Sequence, residues 1–236
     1  MTNLAIDIGN TAIKIGVFTD NLLVKVITEI KFDQIPDFVQ TFVPNNIIIS
    51  SVRKNSEALL ARLPKGTVQL THTTSLPITI AYETPETLGV DRIAAVVGAF
   101  NLFPFFNCLI IDVGTCITYE FLDAEGAYQG GSISPGIEMK FKALNNFTAS
   151  LPLIERTEQA LLVGKTTEQA IQSGVIGGTL AEIEEIIRMY NDKFSPLRII
   201  MCGGGAKFIK SRLRSKVELY PELVLMGLNG ILKHNA

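Results

Sequence analysis

Along the first fifty residues, apolar positions fall into short blocks broken by polar turns. Leu4-Ala5-Ile6-Asp7-Ile8-Gly9-Asn10-Thr11-Ala12-Ile13-Lys14 is an apolar run, an acidic turn with glycine, and a second run that continues to Phe18. That pattern predicts a β-hairpin with a polar tip. A tight connection at Asn21-Leu22 leads to Leu23 to Ile30, rich in β-branched residues, so three strands form a meander. Asp33 is placed to cap a helix carrying Ile35, Phe38, Val39 and Phe42 on one side, stopped by Pro44-Asn45-Asn46. The block Ile47 to Val52 reads as a buried strand, Ser56 to Leu63 as a short helix and Val68 to Leu70 as a short strand. The first half is therefore β-β-β-α-β-α-β.

The second half opens in the same way. Leu109-Ile110-Ile111-Asp112-Val113-Gly114-Thr115 and then Cys116 to Glu120 repeat the first hairpin, with Asp112 over Asp7 and Gly114 over Gly9. Strands are expected at Cys108 to Asp112, Cys116 to Leu122 and Ala127 to Ile133, a second meander. Ser134-Pro135 reads as the cap and first turn of a helix with Met139, Ala143 and Leu144 on its buried side. Thr166-Thr167-Glu168-Gln169 resembles a capping box, and the helix after it has Ile171, Val175, Thr179, Ile183, Ile186 and Tyr190 on one stripe. Gly174, Gly177 and Gly178 weaken that helix by about 1 kcal/mol each relative to alanine, so close packing on a neighbour is expected. Leu197 to Cys202 is a buried strand running into Gly203-Gly204-Gly205-Ala206, and a last helix spans Glu222 to Lys233.

Between the halves, Ile93 to Ile111 holds no charged residue and is long enough to cross a bilayer. Gly98, Asn101, Pro104 and Asn107 interrupt it, so it reads as a buried helix, a turn and a buried strand, with no membrane span. The polar stretch before it, Tyr82 to Arg92, has no clean period and sets Asp91 and Arg92 at the helix start after Gly89. An N-capping aspartate with a solvated arginine is the structural alternative to a site there.

Composition narrows the function. At 236 residues, 47% apolar and 19% charged, the chain is long enough for a substantial core in one or two domains. A net charge of −2 argues against a general nucleic-acid surface. Cys108, Cys116 and Cys202 form no Cys-x-x-Cys motif, and the only histidines are His72 and His234, which argues against zinc and for reduced thiols in the cytoplasm. The start of the chain has no signal-type pattern. At the two tips, glycine admits close backbone approach, while threonine hydroxyls and turn amides can donate to phosphate. An aspartate repels phosphate and holds a cation, or a water on one, instead. Two such tips facing each other would clamp a nucleotide phosphate chain. The late glycine run between strand and helix fits close approach of a flat or phosphate-bearing ligand, or a simple tight turn.

The paired meanders, their acidic tips and the late glycine turn resemble the actin-like ATPase superfamily. Asp7-Ile8-Gly9-Asn10-Thr11, Gly89-Val90-Asp91-Arg92, Asp112-Val113-Gly114-Thr115, Gly130-Gly131-Ser132-Ile133-Ser134-Pro135-Gly136, Gly164-Lys165-Thr166-Thr167 and Gly203-Gly204-Gly205-Ala206 occur in the order seen in type III pantothenate kinases. Met226 and Gly203 stand where that family's pattern has an acidic residue and a threonine. The resemblance implies an α/β fold of two related actin-like (ribonuclease H-like) lobes, 1–105 and 106–236, each a mixed sheet starting with a meander and flanked by helices. It implies ATP-dependent phosphorylation of pantothenate to 4′-phosphopantothenate, the first step towards coenzyme A. Asp91 would accept the hydroxyl proton. Asp7, Ile8, Gly9, Asn10, Thr11, Ala12, Ile13, Lys14 and Thr115 would bind ATP, although strand alternation favours a structural role for Lys14. Tyr82, Gly89, Val90, Asp91, Arg92 and Thr167 would contact pantothenate. Asp7 would hold Mg²⁺ through water, and Asp112 a monovalent cation, K⁺ or NH₄⁺. A homodimer is implied, with the helix after Arg92 and the glycine-bearing helix after Thr167 as candidate interfaces. The alternatives are an actin-like kinase of another small hydroxyl substrate, and a non-catalytic regulatory protein of the same fold.

Overall fold

The computed structural model describes residues 1–53 and 56–235. The elements run β1 (Thr2–Ile8), β2 (Ile13–Thr19), β3 (Leu22–Ile27), α1 (Ile35–Phe42), β4 (Asn46–Ser51), α2 (Ser56–Leu60), β5 (Val68–Gln69), β6 (Thr79–Ile80) and α3 (Val90–Leu102). They continue β7 (Asn107–Val113), β8 (Cys116–Leu122), β9 (Ala127–Pro135), α4 (Ile137–Asn146), α5 (Thr167–Gln172), α6 (Gly178–Phe194), β10 (Leu197–Cys202), α7 (Ala206–Lys210), β11 (Glu218–Leu219) and α8 (Leu223–His234). Two compact units result, one of residues 1–106, 120–130 and the described residues from 222 on, the other of 107–119 and 131–221.

The first unit holds a five-stranded sheet in the order β3-β2-β1-β4-β5. β1 pairs antiparallel with β2 and parallel with β4, which puts Asp7 opposite Lys14 on one side and Ser50 on the other. Leu4, Ile6, Ile8, Ile15, Ile47 and Ile49 fill a core closed by Ile35 and Val39 of α1. The third strand stops at Ile27, short of the expected Ile30. Asp33 does not cap α1. It lies in a 3₁₀ turn, Phe32–Gln34, where the Gln34 side chain reaches back to the Lys31 amide at 3.0 Å.

Helix α3 is buried along Arg92–Ala99, which fits the apolar run from Ile93 to Ala99. It packs against α8 through glycines. A Cβ on Gly98 would sit 2.5 Å from the Leu223 carbonyl oxygen, and one on Gly227 would overlap the Ala94 carbonyl. Because its own chain covers α3, that helix drops out as a dimer interface. Among the described residues no helix is long and apolar enough to cross a membrane.

A six-stranded sheet has the order β11-β10-β7-β8-β9-β6, and its β6 end, where Thr79 and Ile80 pair with Ala127 and Tyr128, belongs to the first unit. In the second unit β10 runs parallel to β7 and β11. Leu109, Ile111, Tyr119, Ile137, Phe141, Ile183 and Met201 are among its core. β9 runs through Pro135, so Ser134-Pro135 ends a strand and does not open a helix. Gly136 is the N-cap of α4, whose buried residues are Ile137 and Phe141, while Met139 is exposed.

Thr166 caps α5 as expected, its Oγ1 accepting the Gln169 amide at 3.2 Å. The Gln169 side chain, however, takes the Lys165 amide at 2.9 Å, one residue before the box position. A π-turn, Ser173–Gly177, joins α5 to α6. The buried stripe is Ile171, Val175, Thr179, Ile183 and Ile187, with Ile186 and Tyr190 only partly covered. A Cβ on Gly174, Gly177 or Gly178 would meet nothing within 4 Å, so no neighbour in this chain packs closely there.

Candidate functional site

The first tip is built by β1 and β2 diverging after Ile8 and before Ile13, both buried. Between them Gly9, Asn10, Thr11 and Ala12 turn the chain, with Asn10, Thr11 and Ala12 exposed and the Gly9 amide donating to the Ala12 carbonyl at 3.0 Å. Arg53 braces this turn from outside the motif. Its Nε donates to the Gly9 carbonyl at 2.9 Å and its Nη2 to that of Asn10 at 3.1 Å. Thr11, Ala12, Ile13, Lys31 and Arg53 border a cavity of about 580 Å³, the size of a small-molecule site. Lys14 Nζ lies 3.2 Å from Glu222 Oε2 at the start of α8.

The second tip repeats the first at the level of burial. β7 and β1 share one pattern, a half-buried aspartate followed by a buried apolar residue after a buried run. Here the Gly114 amide donates to the Cys116 carbonyl at 2.9 Å, and Gly114 and Thr115 are exposed. Two glycines close over it. The Gly136 amide donates to the Thr115 carbonyl at 3.0 Å, and a Cβ on Gly136 would overlap the Gly114 and Thr115 carbonyls. Gly203, at φ +88°, lies against the Asp112 carboxylate and the Val113 carbonyl, leaving no room for a Cβ. A threonine there would be strained by its backbone as well as by its bulk. The Gly205 amide donates to the Val113 carbonyl at 2.8 Å, so the late glycine turn is stitched to the Asp112 tip.

The segment Gly89-Val90-Asp91-Arg92 forms the first turn of α3 with Gly89 as N-cap, three residues earlier than the apolar period implied. Asp91 is thus inside the first turn, where the helix dipole favours its negative charge. Its Oδ1 accepts the Arg92 amide at 2.9 Å. A Cβ on Gly89 would lie 2.5 Å from that oxygen, which gives the glycine a physical reason.

Arg92 is not a solvated side chain. Its Nε and Nη2 each donate at 2.7 Å to the two oxygens of Glu120, which is fully buried on β8. Tyr128 donates its hydroxyl to the same carboxylate. The Tyr82 and Tyr128 rings stack at 6.2 Å and 3°, and the guanidinium carbon sits 5.8 Å from the Tyr82 centroid. Burial alone would lower the Arg92 value, but the hydrogen bonds and charge of Glu120 hold it above the ordinary guanidinium range. Burial and the Glu120 charge raise Tyr128 above the ordinary phenol range, so it stays a donor.

The structure therefore brings Tyr82, Gly89, Val90, Asp91 and Arg92 together in the first unit, which also carries the Asp7 tip. Asp112, Thr115 and the exposed Thr167, first residue of α5, belong to the second. Sequence reasoning missed Arg53, Glu120 and Tyr128. Glu120 carried a readable signal, a charge set between Tyr119 and Phe121 inside an apolar strand, which demands a partner.

For a divalent cation the fit is that of a shared site. Among the described residues there is no cluster of three or more His, Cys, Asp or Glu able to hold a metal. Asp7 is half-buried at the strand end, and opposite it the Ser50 Oγ is buried with no hydrogen-bond partner. One carboxylate with an oxygen beside it suits Mg²⁺, which keeps several waters and takes the rest of its shell from substrate phosphates.

The sequence model of the type III pantothenate kinase family matches residues 3–189. A type III pantothenate kinase of Cytophaga hutchinsonii is 43% identical over 233 residues, covering 99% of both chains. One of Phocaeicola vulgatus is 41% identical over 238 residues, covering 99% of this chain and 98% of its own. Among solved structures, the activator of 2-hydroxyisocaproyl-CoA dehydratase from Clostridium difficile with bound ADPNP superposes at a TM-score of 0.57 and 12% identity, over 100% of this chain and 95% of its own. MreB 5 of Spiroplasma citri bound to AMPPNP gives 0.52 at 10% identity, over 99% and 96%. At these identities the two structures speak to the fold.

Proposed function

This chain belongs to the type III pantothenate kinase family, and from that premise we propose how its residues carry out the reaction. The fold is the two-lobed actin-like α/β fold, and the activity is ATP-dependent phosphorylation of pantothenate, the first step of coenzyme A biosynthesis. The observation that carries the residue assignment is the first turn of α3, where Gly89 leaves room for an Asp91 carboxylate fixed by the Arg92 amide.

Phosphoryl transfer depends on in-line placement and charge neutralisation more than on covalent chemistry. Asp91 orients the primary hydroxyl of pantothenate and accepts its proton as the bond to phosphorus forms. Arg92 takes the substrate carboxylate, with Tyr82, Gly89, Val90 and Thr167 completing the contact set. Ile8 to Ile13 present the tip amides, and Asn10, Thr11 and Thr115 their polar side chains, to the phosphates of ATP. Lys14 pairs with Glu222, which supports a supporting role beside the tip. Asp7 would hold Mg²⁺ through water, with the unpartnered Ser50 Oγ opposite it as a further oxygen. When bound, the ion offsets negative charge on the transferring phosphoryl group. Asp112, whose carboxylate lies against Gly203, would hold a monovalent cation, K⁺ or NH₄⁺.

Two copies assemble through the face carrying Gly174, Gly177 and Gly178, whose open surface supports a close neighbour from another chain. The setting is the cytoplasm, in keeping with three unbridged cysteines. Turnover is expected to require Mg²⁺ and to fall when K⁺ is replaced by Na⁺. Indifference to the monovalent cation would remove that role from Asp112 and leave the kinase intact.

A further inference from the structure

We infer that Glu120 and Tyr128 form a buried brace that positions Arg92, and with it the Tyr82 ring, for the carboxylate end of the substrate. This rests on the reading that Arg92 contacts pantothenate. Glu120 and Tyr128 lie on β8 and β9, outside every motif tied to the reaction, and are proposed to act through Arg92 and Tyr82.

Three features point to positioning. The first is the geometry of the pair. Glu120 takes Nε and Nη2 side-on at 2.7 Å each, which fixes the guanidinium plane and leaves the Nη1 edge unspent on Glu120. The second is the support behind it. Tyr128 holds Glu120 through its hydroxyl and holds Tyr82 through ring stacking, so one side chain sets both walls. Gly130, at φ +106°, makes room for this, since a Cβ there would lie 3.3 Å from the Tyr82 ring. The third is location. Arg92 directly follows Asp91 and its amide holds the Asp91 carboxylate, so the brace also fixes the register of the two groups that would face opposite ends of the substrate. A fully buried glutamate paired with an arginine is costly to desolvate and often replaceable by apolar residues, so a purely structural role explains its presence poorly.

The test uses the full chain with Glu120→Gln, Tyr128→Phe and Arg92→Gln. Steady-state kcat and KM are measured for pantothenate and for ATP, alongside circular dichroism and melting temperature. The brace predicts that Tyr128→Phe raises the pantothenate KM about 3- to 10-fold, through one lost hydrogen bond to a charged group. Glu120→Gln raises it about 10- to 100-fold, because a bidentate charged pair is weakened. The ATP KM stays near the wild-type value in both.

If Arg92→Gln leaves the pantothenate KM unchanged, the substrate reading of Arg92 fails and the brace fails with it. If Arg92→Gln raises that KM while Glu120→Gln and Tyr128→Phe leave it unchanged or lower it, the brace is overturned and the substrate reading stands. A fall in kcat and melting temperature with an intact KM makes the pair structural and also overturns the proposal. Should Glu120→Gln not fold, Tyr128→Phe decides alone, since it keeps the ion pair and the ring.

Discussion

At the scale of single residues, the account turns on small side chains that make room for charged ones. Gly89 is the clearest case, because a methyl group there would press on the Asp91 carboxylate. Gly89→Ala is expected to lower kcat at least about 10-fold by displacing that group, with ATP affinity and fold retained. Isothermal titration with a non-hydrolysable nucleotide beside a turnover assay would check it, and wild-type kcat would show the space to be idle. The cysteines give a second expectation. Burial pushes the Cys108 thiol up to about 12, so at pH 8 almost none of it is thiolate. Mass-spectrometric mapping of alkylation should find the half-buried Cys116 modified well before Cys108. The sequence singled out Asp91 and Arg92 as site candidates because their segment broke the periodicity around it. The charge of Glu120 inside an apolar strand signalled a buried partner, but its pairing with Arg92 and Tyr128 was not legible, because strand patterning tells which face is covered and not which side chain meets which across it. Removing one partner of such a buried pair typically costs about 3–5 kcal/mol, so the fold feels Glu120 as well as the site.

At the scale of elements, apolar blocks broken by polar turns gave the two meanders, and the identical burial of β1 and β7 bears out the repeat first seen as Asp-x-Gly. Helix starts were less readable. Ser134 looks like a cap by type, but it stays in β9, where its hydroxyl serves Glu182. Nor does the pattern of α8 name α3 as its partner. The crossing depends on Gly98 and Gly227, which read as helix weakeners until the opposing backbone is seen. Gly227→Ala should destabilise the protein by about 1–3 kcal/mol through overpacking, measured by chemical denaturation.

Glu182 of α6 ties three elements together. Its carboxylate accepts Tyr119 Oη at 2.8 Å and Lys140 Nζ at 2.7 Å. Burial would raise its value, but Lys140, Tyr119 and Ser134 outweigh burial and hold it below the ordinary 4.5. The folded form thus prefers the charged group. Its stabilisation is complete above the unfolded value of 4.5 and is lost as pH falls through the lower folded value. Glu182→Gln should therefore flatten the acid limb of the stability curve, and an unchanged limb would place the acid sensitivity elsewhere.

At the scale of the whole molecule, order along the chain carried the inference. The six motif segments occur in the family's order; five of them lie inside the family match over residues 3–189, and Gly203-Gly204-Gly205-Ala206 lies beyond it. The π-turn and the open glycine face after Thr167 were beyond reach from sequence, since a glycine in a helix has the same signature whether it packs or stands exposed. Analytical ultracentrifugation of Gly177→Leu against the wild type checks that face. The proposed assembly predicts dimer for the wild type and a shift towards monomer in the variant. The most direct measurement is formation of 4′-phosphopantothenate from ATP and pantothenate, in Mg²⁺ and K⁺, by the wild type and by Asp91→Asn. The account predicts turnover by the wild type and a loss of about 10²- to 10⁴-fold in the variant, with nucleotide binding kept. Near-normal turnover by Asp91→Asn, or none by the folded wild type, would contradict it.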